Sequence, residues 1–293
     1  MTRILVTAAT GTVGAHIVDQ LQDHPVRVLA RDASAVLADV EIATGDFEDR
    51  RSLRRAMQGV DRVYVSAADG PRKVAHETAV IDAAAEAGVS LVVKLSALHA
   101  DPASPLPPFR WHGEIENHLR RSGVPFVILR PAFFMTNLLM VADAVAQSGF
   151  LPAPTAGRAV SMIDIRDVAA SAASALRTET HAGRTYDLTG PAAITFDEVA
   201  AALTTATGRD VRSLDLTEEE ARPRFANAGL PDWLATHLAG VFALIRAGAC
   251  ERTTTHVQAL TGRRPRDITA FARDYAAAFT PRAASAHPAA VQA

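Results

Sequence analysis

His112 and Glu116 stand four residues apart in Phe109-Arg-Trp-His-Gly-Glu-Ile-Glu-Asn-His-Leu119. On a helix that spacing puts both on one face. An imidazole beside a carboxylate can hold or donate a proton near neutral pH, with its pKa tuned by the neighbour. The same spacing also describes a surface ion pair, which contributes only about 0.2–0.5 kcal/mol. Ser96 closes the apolar run Val92-Val-Lys-Leu-Ser96. A hydroxyl at the carboxyl edge of a parallel sheet can bond a substrate carbonyl, a nicotinamide carboxamide or its own loop. His99 follows in a proline-rich loop as a lesser candidate. Lys94 shares a strand face with Ser96 and is expected to snorkel as a structural residue. His76, His118, His181, His237 and His256 are scattered and read as surface residues. No His, Asp or Glu cluster has metal-ligand spacing, so no metal is expected.

Two further stretches suit a nucleotide. In Thr7-Ala-Ala-Thr-Gly-Thr-Val-Gly14, a short apolar strand (Ile4, Leu5, Val6) runs into a tight turn. A helix follows, with Val13, Ile17, Val18 and Leu21 on its apolar stripe. A strand that turns on glycine into a helix N-terminus makes a pyrophosphate seat, because free N–H groups and the helix dipole both favour an anion. Gly11 lets the backbone approach the phosphates, and Gly14 lets the helix pack closely on the sheet. Ala8 stands where the usual pattern has glycine, and fits if its φ stays negative. Thr7, Thr10, Gly11, Val13, Gly14 and Ala67 are the expected cofactor contacts here. The second strand, Val26–Ala30, ends in Arg31-Asp32. An arginine at that strand end pairs with the ribose phosphate of NADP(H), whereas a carboxylate binds the bare ribose of NAD(H). Arg31 favours NADP(H); Asp32, one residue on, keeps NAD(H) as the less favoured choice.

The elements that must hold these groups alternate. Strand-like runs at 26–30, 40–44, 61–66, 90–96 and 124–130 are separated by helix-like segments at 50–57, 72–87 and 110–122. Near-continuous apolar strands between helices predict an α/β fold, a doubly wound parallel sheet of Rossmann type. After Pro131 the order changes. The spacing predicts an apolar helix over 133–146, a loop over 149–154, a helix capped by Asp164 and a strand over 184–189 that returns to the sheet. Helices are expected at 195–206, 217–227, 231–247 and 267–279. Residues 1–150 are read as the cofactor domain and 151–281 as a smaller, mostly helical substrate domain interleaved with it. The Ala/Pro/Ser-rich stretch 282–293 is read as a disordered tail.

Composition narrows the class. With 293 residues, 48% hydrophobic, the chain can bury a large core. The net charge of −2 and the lack of a basic run argue against nucleic acid and anionic membranes as partners. A single cysteine, Cys250, allows no internal disulfide. No signal peptide and no run of spanning length is seen, which points to a cytoplasmic protein. A homodimer is left open.

The chain resembles the NmrA-like atypical short-chain dehydrogenase/reductases over roughly residues 3–280. The resemblance rests on Thr7–Gly14, Ala30-Arg-Asp32, Gly45-Asp-Phe47, Val92–Ser96, Ser122-Gly-Val-Pro125, Leu129-Arg-Pro131 with Asn137, and Ile163-Asp-Ile-Arg-Asp-Val168. The segment Leu98–Leu106 is most similar to the NAD(P)H:quinone oxidoreductases of that family. The resemblance implies that Asp46 and Phe47 hold the adenine ring. It also implies that a residue near His112 touches the cofactor ribose and protonates substrate. The wider superfamily uses Tyr-x-x-x-Lys, but Tyr64, Tyr186 and Tyr275 are followed at the fourth position by Ala68, Gly190 and Phe279. Phe133, Phe134 and Asn137, with Met135, Leu138, Trp233 and Phe242, are candidates for an apolar substrate wall or for ordinary core. The expected function is NADPH-dependent reduction of a small hydrophobic quinone, enone or imine-type acceptor, a chemistry that asks little of a protein acid. A redox-sensing regulator without turnover, or an isomerase or cyclase on the same fold, stand as alternatives.

Overall fold

The computed structural model describes residues 1–36, 39–217, 219–221, 223 and 230–281. Seven strands form one parallel sheet: β1 (Ile4–Val6), β2 (Val26–Ala30), β3 (Glu41–Thr44), β4 (Arg62–Val65), β5 (Leu91–Leu95), β6 (Phe126–Pro131) and β10 (Arg184–Leu188), in the order β10-β6-β5-β4-β1-β2-β3. The strand order reverses at β1, and ligands bind outside the carboxyl ends of strands at such a switch point.

The strands are apolar in nearly every position because both faces are covered. Ile4 and Val6 pack with α1 (Thr12–Gln20) and α6 (Ile165–Arg177); Leu5, between them, faces the opposite core with α2 (Arg50–Met57) and α3 (Lys73–Glu86). This is the period-two alternation of a strand with each face meeting helices. Asp164 caps α6 as expected, its carboxylate accepting from the Arg166 amide. The returning strand is β10, paired with β6 at the sheet edge.

A separate apolar cluster lies beyond the sheet, built from Met135, Val145, Leu151, Met162, Phe196 and Phe271. Two expectations fail here. The stretch 133–146 is not one helix. Phe133–Phe134 form β7, paired with β9 (Val160–Ile163); a 3-10 turn (Met135–Val141) and α5 (Ala142–Ser148) follow. Strand pairing overrides the local apolar spacing. The expected loop at 149–154 contains β8 (Phe150–Ala153), parallel to β12 (Arg212–Asp215). Leu151 and Ala153 turn into the core while Phe150 stays outside, and Pro152 is tolerated because β8 pairs on one side only. Antiparallel to β9 runs β11 (Ala193–Ile194). Further helices are α4 (Pro107–Arg121), α7 (Phe196–Thr207), α8 (Asp232–Arg246), α9 (His256–Thr261) and α10 (Ile268–Asp274). The sequence reading missed α9, a single short stretch anchored by Val257 and Leu260. The expected tail 282–293 and most of the expected helix at 217–227 lie outside the described residues. Among the described residues, no helix is long and apolar enough to cross a membrane.

Candidate active site

A cleft of about 580 Å³ opens along the carboxyl ends of β1, β4, β5 and β6. One end is the turn between β1 and α1. Gly11 is the N-cap of α1, with no side chain capping the first turn, so that turn's amides are available to an anion. A Cβ on Gly14 would stand 2.2 Å from the Ala8 carbonyl oxygen, and one on Gly11 3.2 Å from it. Gly14 is therefore fixed by the closeness of helix and turn. Ala8 corrects an expectation: its φ is +51°, in the left-handed region that costs alanine about 1 kcal/mol. The Gly11 amide, 2.9 Å from the Ala8 carbonyl, holds the turn in that form.

Thr10, Gly11, Val13, Gly14 and Ala67 all line the cleft. Thr7 does not. It is fully buried, and its hydroxyl donates toward the Ser66 and Tyr64 carbonyls while accepting from the Ser66 amide. Thr7 is a latch between β1 and the end of β4. Arg31 is exposed at the bend after β2. The Asp32 carboxylate accepts from the Ser34 amide and hydroxyl, which hold its pKa below the usual range. Asp32 is thus turned onto its own loop, while Arg31 faces solvent. Asp46 accepts from the Glu48 amide, and the half-buried Phe47 ring lies 5.5 Å from His76.

The middle of the cleft holds a charged network. Lys94 on β5 and Ser96 just past its end point to the same face, and α4 crosses that face. Two strand residues span about 6.7 Å and one helical turn about 5.4 Å. His112 therefore meets Lys94, and Glu116 meets Ser96. The expected His112–Glu116 partnership does not form. His112 is buried, with Nδ1 3.2 Å from Lys94 Nζ. The oxygens of buried Glu116 are taken by Ser96 (2.5 Å), Arg130 (2.5 Å) and Arg120 (2.8 Å). Lys94 is not a snorkelling residue either. It is fully buried, forms an ion pair with Glu77 Oε2 at 2.7 Å, donates to the Leu95 carbonyl and lies against His112 Nδ1. Glu77 Oε1 accepts from Lys73 at 2.9 Å and from the Ala67 amide at 3.0 Å, and Lys73 also donates to the Ala67 carbonyl. This clamp sets the loop after β4.

Burial pushes the Lys94 ammonium down to about 8, against the pull of Glu77. Burial, with the charges of Lys94, Lys73 and His237, drives His112 well below its usual value. Because an ammonium only donates, Nδ1 accepts and the ring hydrogen sits on Nε2. His112 is a neutral donor rather than an imidazolium. For Glu116, burial works against the charge, but Arg130, Ser96 and Arg120 outweigh it and its pKa is lowered. The stability it contributes is then complete above the unfolded value of about 4.3 and is lost as pH falls through the depressed folded value. Glu116→Ala is expected to cost roughly 3 kcal/mol, the low end for a broken buried pair because Arg120 and Arg130 keep some water. Urea unfolding checks this, and an unchanged midpoint would contradict it.

Phe133, Phe134 and Asn137 line the far end of the cleft. Met135 and Leu138 turn into the core instead. Trp233 packs on Trp111 at 5.3 Å and does not line the cleft. His237, read as a surface residue, lines the cleft with its ring edge-on to Phe109 at 4.9 Å. Its position was legible: on α8 it falls on the stripe of Leu234, Leu238, Val241 and Ile245. His99 and Cys250 also line the cleft, with Nε2 and Sγ 3.6 Å apart.

The uncapped helix end, the open Gly11, the close-packed Gly14 and a cleft running past Ser66–Asp69 to Ser96 fit a dinucleotide. Comparison with known proteins agrees. A sequence profile described as the NmrA-like family matches residues 1–258. The NAD(P)H azoreductase of Xenophilus azovorans is 38% identical over 282 residues, covering 94% of this chain and 99% of that protein. An NADPH-dependent quinone oxidoreductase from Escherichia coli, solved with NADPH, superposes with a TM-score of 0.85 at 28% identity, over 92% of this chain and 99% of that one. The triphenylmethane reductase of Citrobacter sp., solved with NADP(H), gives a TM-score of 0.82 at 26% identity, over 93% of this chain and 99% of that one.

Proposed function

The chain belongs to the NmrA-like family, and from that premise we propose that it is an NADPH-dependent reductase of a flat, hydrophobic quinone, enone or imine-type acceptor. The observation that carries this reading is one continuous cleft joining the seat at Gly11 to the His112–Lys94 pair and the Phe133–Phe134 wall. The names of the similar proteins support it: an azoreductase, a quinone oxidoreductase and a dye reductase. Residues 1–150 with the strand at 184–189 are assigned to the cofactor, and 151–281 to the substrate side. The single cysteine fits a cytoplasmic protein.

When bound, NADPH supplies the hydride. The first turn of α1 would hold the pyrophosphate, Arg31 the ribose phosphate, and Asp46 with Phe47 the adenine side. The Ser96 hydroxyl hydrogen is committed to the Glu116 carboxylate, so toward the cleft its oxygen can only accept, which suits a carboxamide N–H rather than a substrate carbonyl. His112 presents Nε2–H to the acceptor heteroatom. As negative charge builds there, the Nε2 proton moves to it and Lys94 passes a proton to Nδ1. Conjugation spreads that charge, so a neutral imidazole suffices as donor.

Arg31→Ala is expected to weaken NADPH about tenfold or more, one charge-assisted phosphate bond, and to leave NADH unchanged. Calorimetry checks it; equal affinities for both cofactors in the unaltered protein would remove the proposed role of Arg31. The function itself is tested by mixing protein, NADPH and menadione and following nicotinamide absorbance. Oxidation of NADPH is expected. Tight NADPH binding with no oxidation by quinone, enone or imine acceptors would put the regulator reading in its place.

A further inference from the structure

Behind Phe133 lies a second cavity of about 300 Å³ that the mechanism does not use. Its walls include Phe133, Leu138, Pro152, Phe196 and Phe242, and Asn137 is the one polar side chain among the described residues that line it. Among the described residues that line it, none is charged. Phe242 stands 6.4 Å from both Phe133 and Phe196, tilted to each. Tilted rings around a void suit another aromatic ring or an alkyl chain. An ionised arm would lose its water there and gain no charged partner from the described walls.

This chamber adjoins the main cleft. Phe133, Asn137, Met140 and Leu238 line both. Met140 is an exposed large hydrophobic, 58% accessible, on that shared wall. An unbranched thioether can shift between rotamers at little cost, so it is the adjustable part of the wall. Its exposure has a use if an apolar ligand covers it.

We infer that the acceptor is two-lobed, with a planar reducible head in the main cleft and an uncharged aromatic or alkyl arm in the chamber behind Phe133. The inference rests on the reductase reading for the head and on the chamber's own walls for the arm. The arm is the part of the molecule that sets specificity. Its burial removes apolar surface of ligand and protein from water together, an effect a head alone cannot obtain.

The test compares menadione with its benzyl-substituted derivative. Titration calorimetry on NADP-saturated protein reads binding, and kcat/KM reads turnover. The benzyl compound is expected to be favoured about tenfold or more in both. Ala144 lines the chamber from the exposed face of α5, so Ala144→Trp fills it from outside the core. In that variant the ratio is expected to fall to about one, while Ala144→Ser keeps it. Equal binding of the two quinones by the unaltered protein would overturn the inference, with no variant needed. A ratio unmoved by Ala144→Trp would also overturn it. Preferential binding of the benzyl compound without turnover of either quinone would uphold the chamber and sink the reductase reading.

Discussion

Gly11→Val is expected to weaken NADPH binding about a hundredfold or more in a chain that still folds, through loss of two charge-assisted bonds of about 1.5 kcal/mol each. Gly11 has φ −83° and ψ 167°, an extended conformation any residue adopts. Its missing Cβ has 3.2 Å to the Ala8 oxygen, so a neighbour need yield only slightly. The fold therefore accepts valine. The proposed seat would not, because an isopropyl group would stand where phosphate oxygens would meet the first turn of α1. Gly14 behaves differently. At 2.2 Å from the Ala8 oxygen, even alanine forces α1 away from the turn, and Gly14→Ala is expected to lose about 1–3 kcal/mol of stability along with binding. Calorimetry with a thermal melt separates the two. Unchanged NADPH affinity in a folded Gly11→Val protein would mean that the seat lies elsewhere.

The second large effect is at Lys94. Lys94→Met is expected to lower kcat about a hundredfold, the scale of a lost proton-transfer group. Methionine matches the length of the stem, and Glu77 keeps Lys73 at 2.9 Å, so no carboxylate is left alone. The sign of the pH dependence follows from burial, which sets Lys94 near 8. Below that value the ammonium is present and fixes His112 as an Nε2–H donor. As pH rises through about 8, the proton that would follow is lost. The rate is then flat at low pH and falls on the alkaline side, with an apparent pKa that belongs to the Lys94–His112 pair. Lys94→Met should show the low rate without that limb. A surviving limb would assign it to another group. His112→Ala is a poorer test, since the ring is buried and its removal also lowers stability.

The β1–turn–α1 unit and the strands of the sheet were legible because their signals are local: apolar runs flanked by helices, and glycine at a strand-to-helix turn. The partnership inside the cleft was not. Spacing puts His112 and Glu116 on one helix face but says nothing of what opposes it. The pairing with Lys94 and Ser96 is set by how α4 crosses β5, a tertiary fact. The same holds for Ala8. Its left-handed φ follows from the approach of Gly14, which no propensity of alanine foretells. His237 is a different case: its place on the apolar stripe of Leu234, Leu238, Val241 and Ile245 is readable from spacing alone. Beyond Pro131, short strands replaced the expected helix and loop, because pairing of β7 with β9 and β8 with β12 decides those stretches.

The most direct measurement is a single turnover with NADPH deuterated on one or the other face of the nicotinamide, mixed with menadione and followed by absorbance. A fixed site passes hydride from one face only. One labelled form should show a primary isotope effect and lose its label, while the other keeps label and rate. A bound nicotinamide whose absorbance never changes, or two labelled forms that react alike, would contradict hydride transfer from a cofactor held between the Gly11 seat and the His112–Lys94 pair.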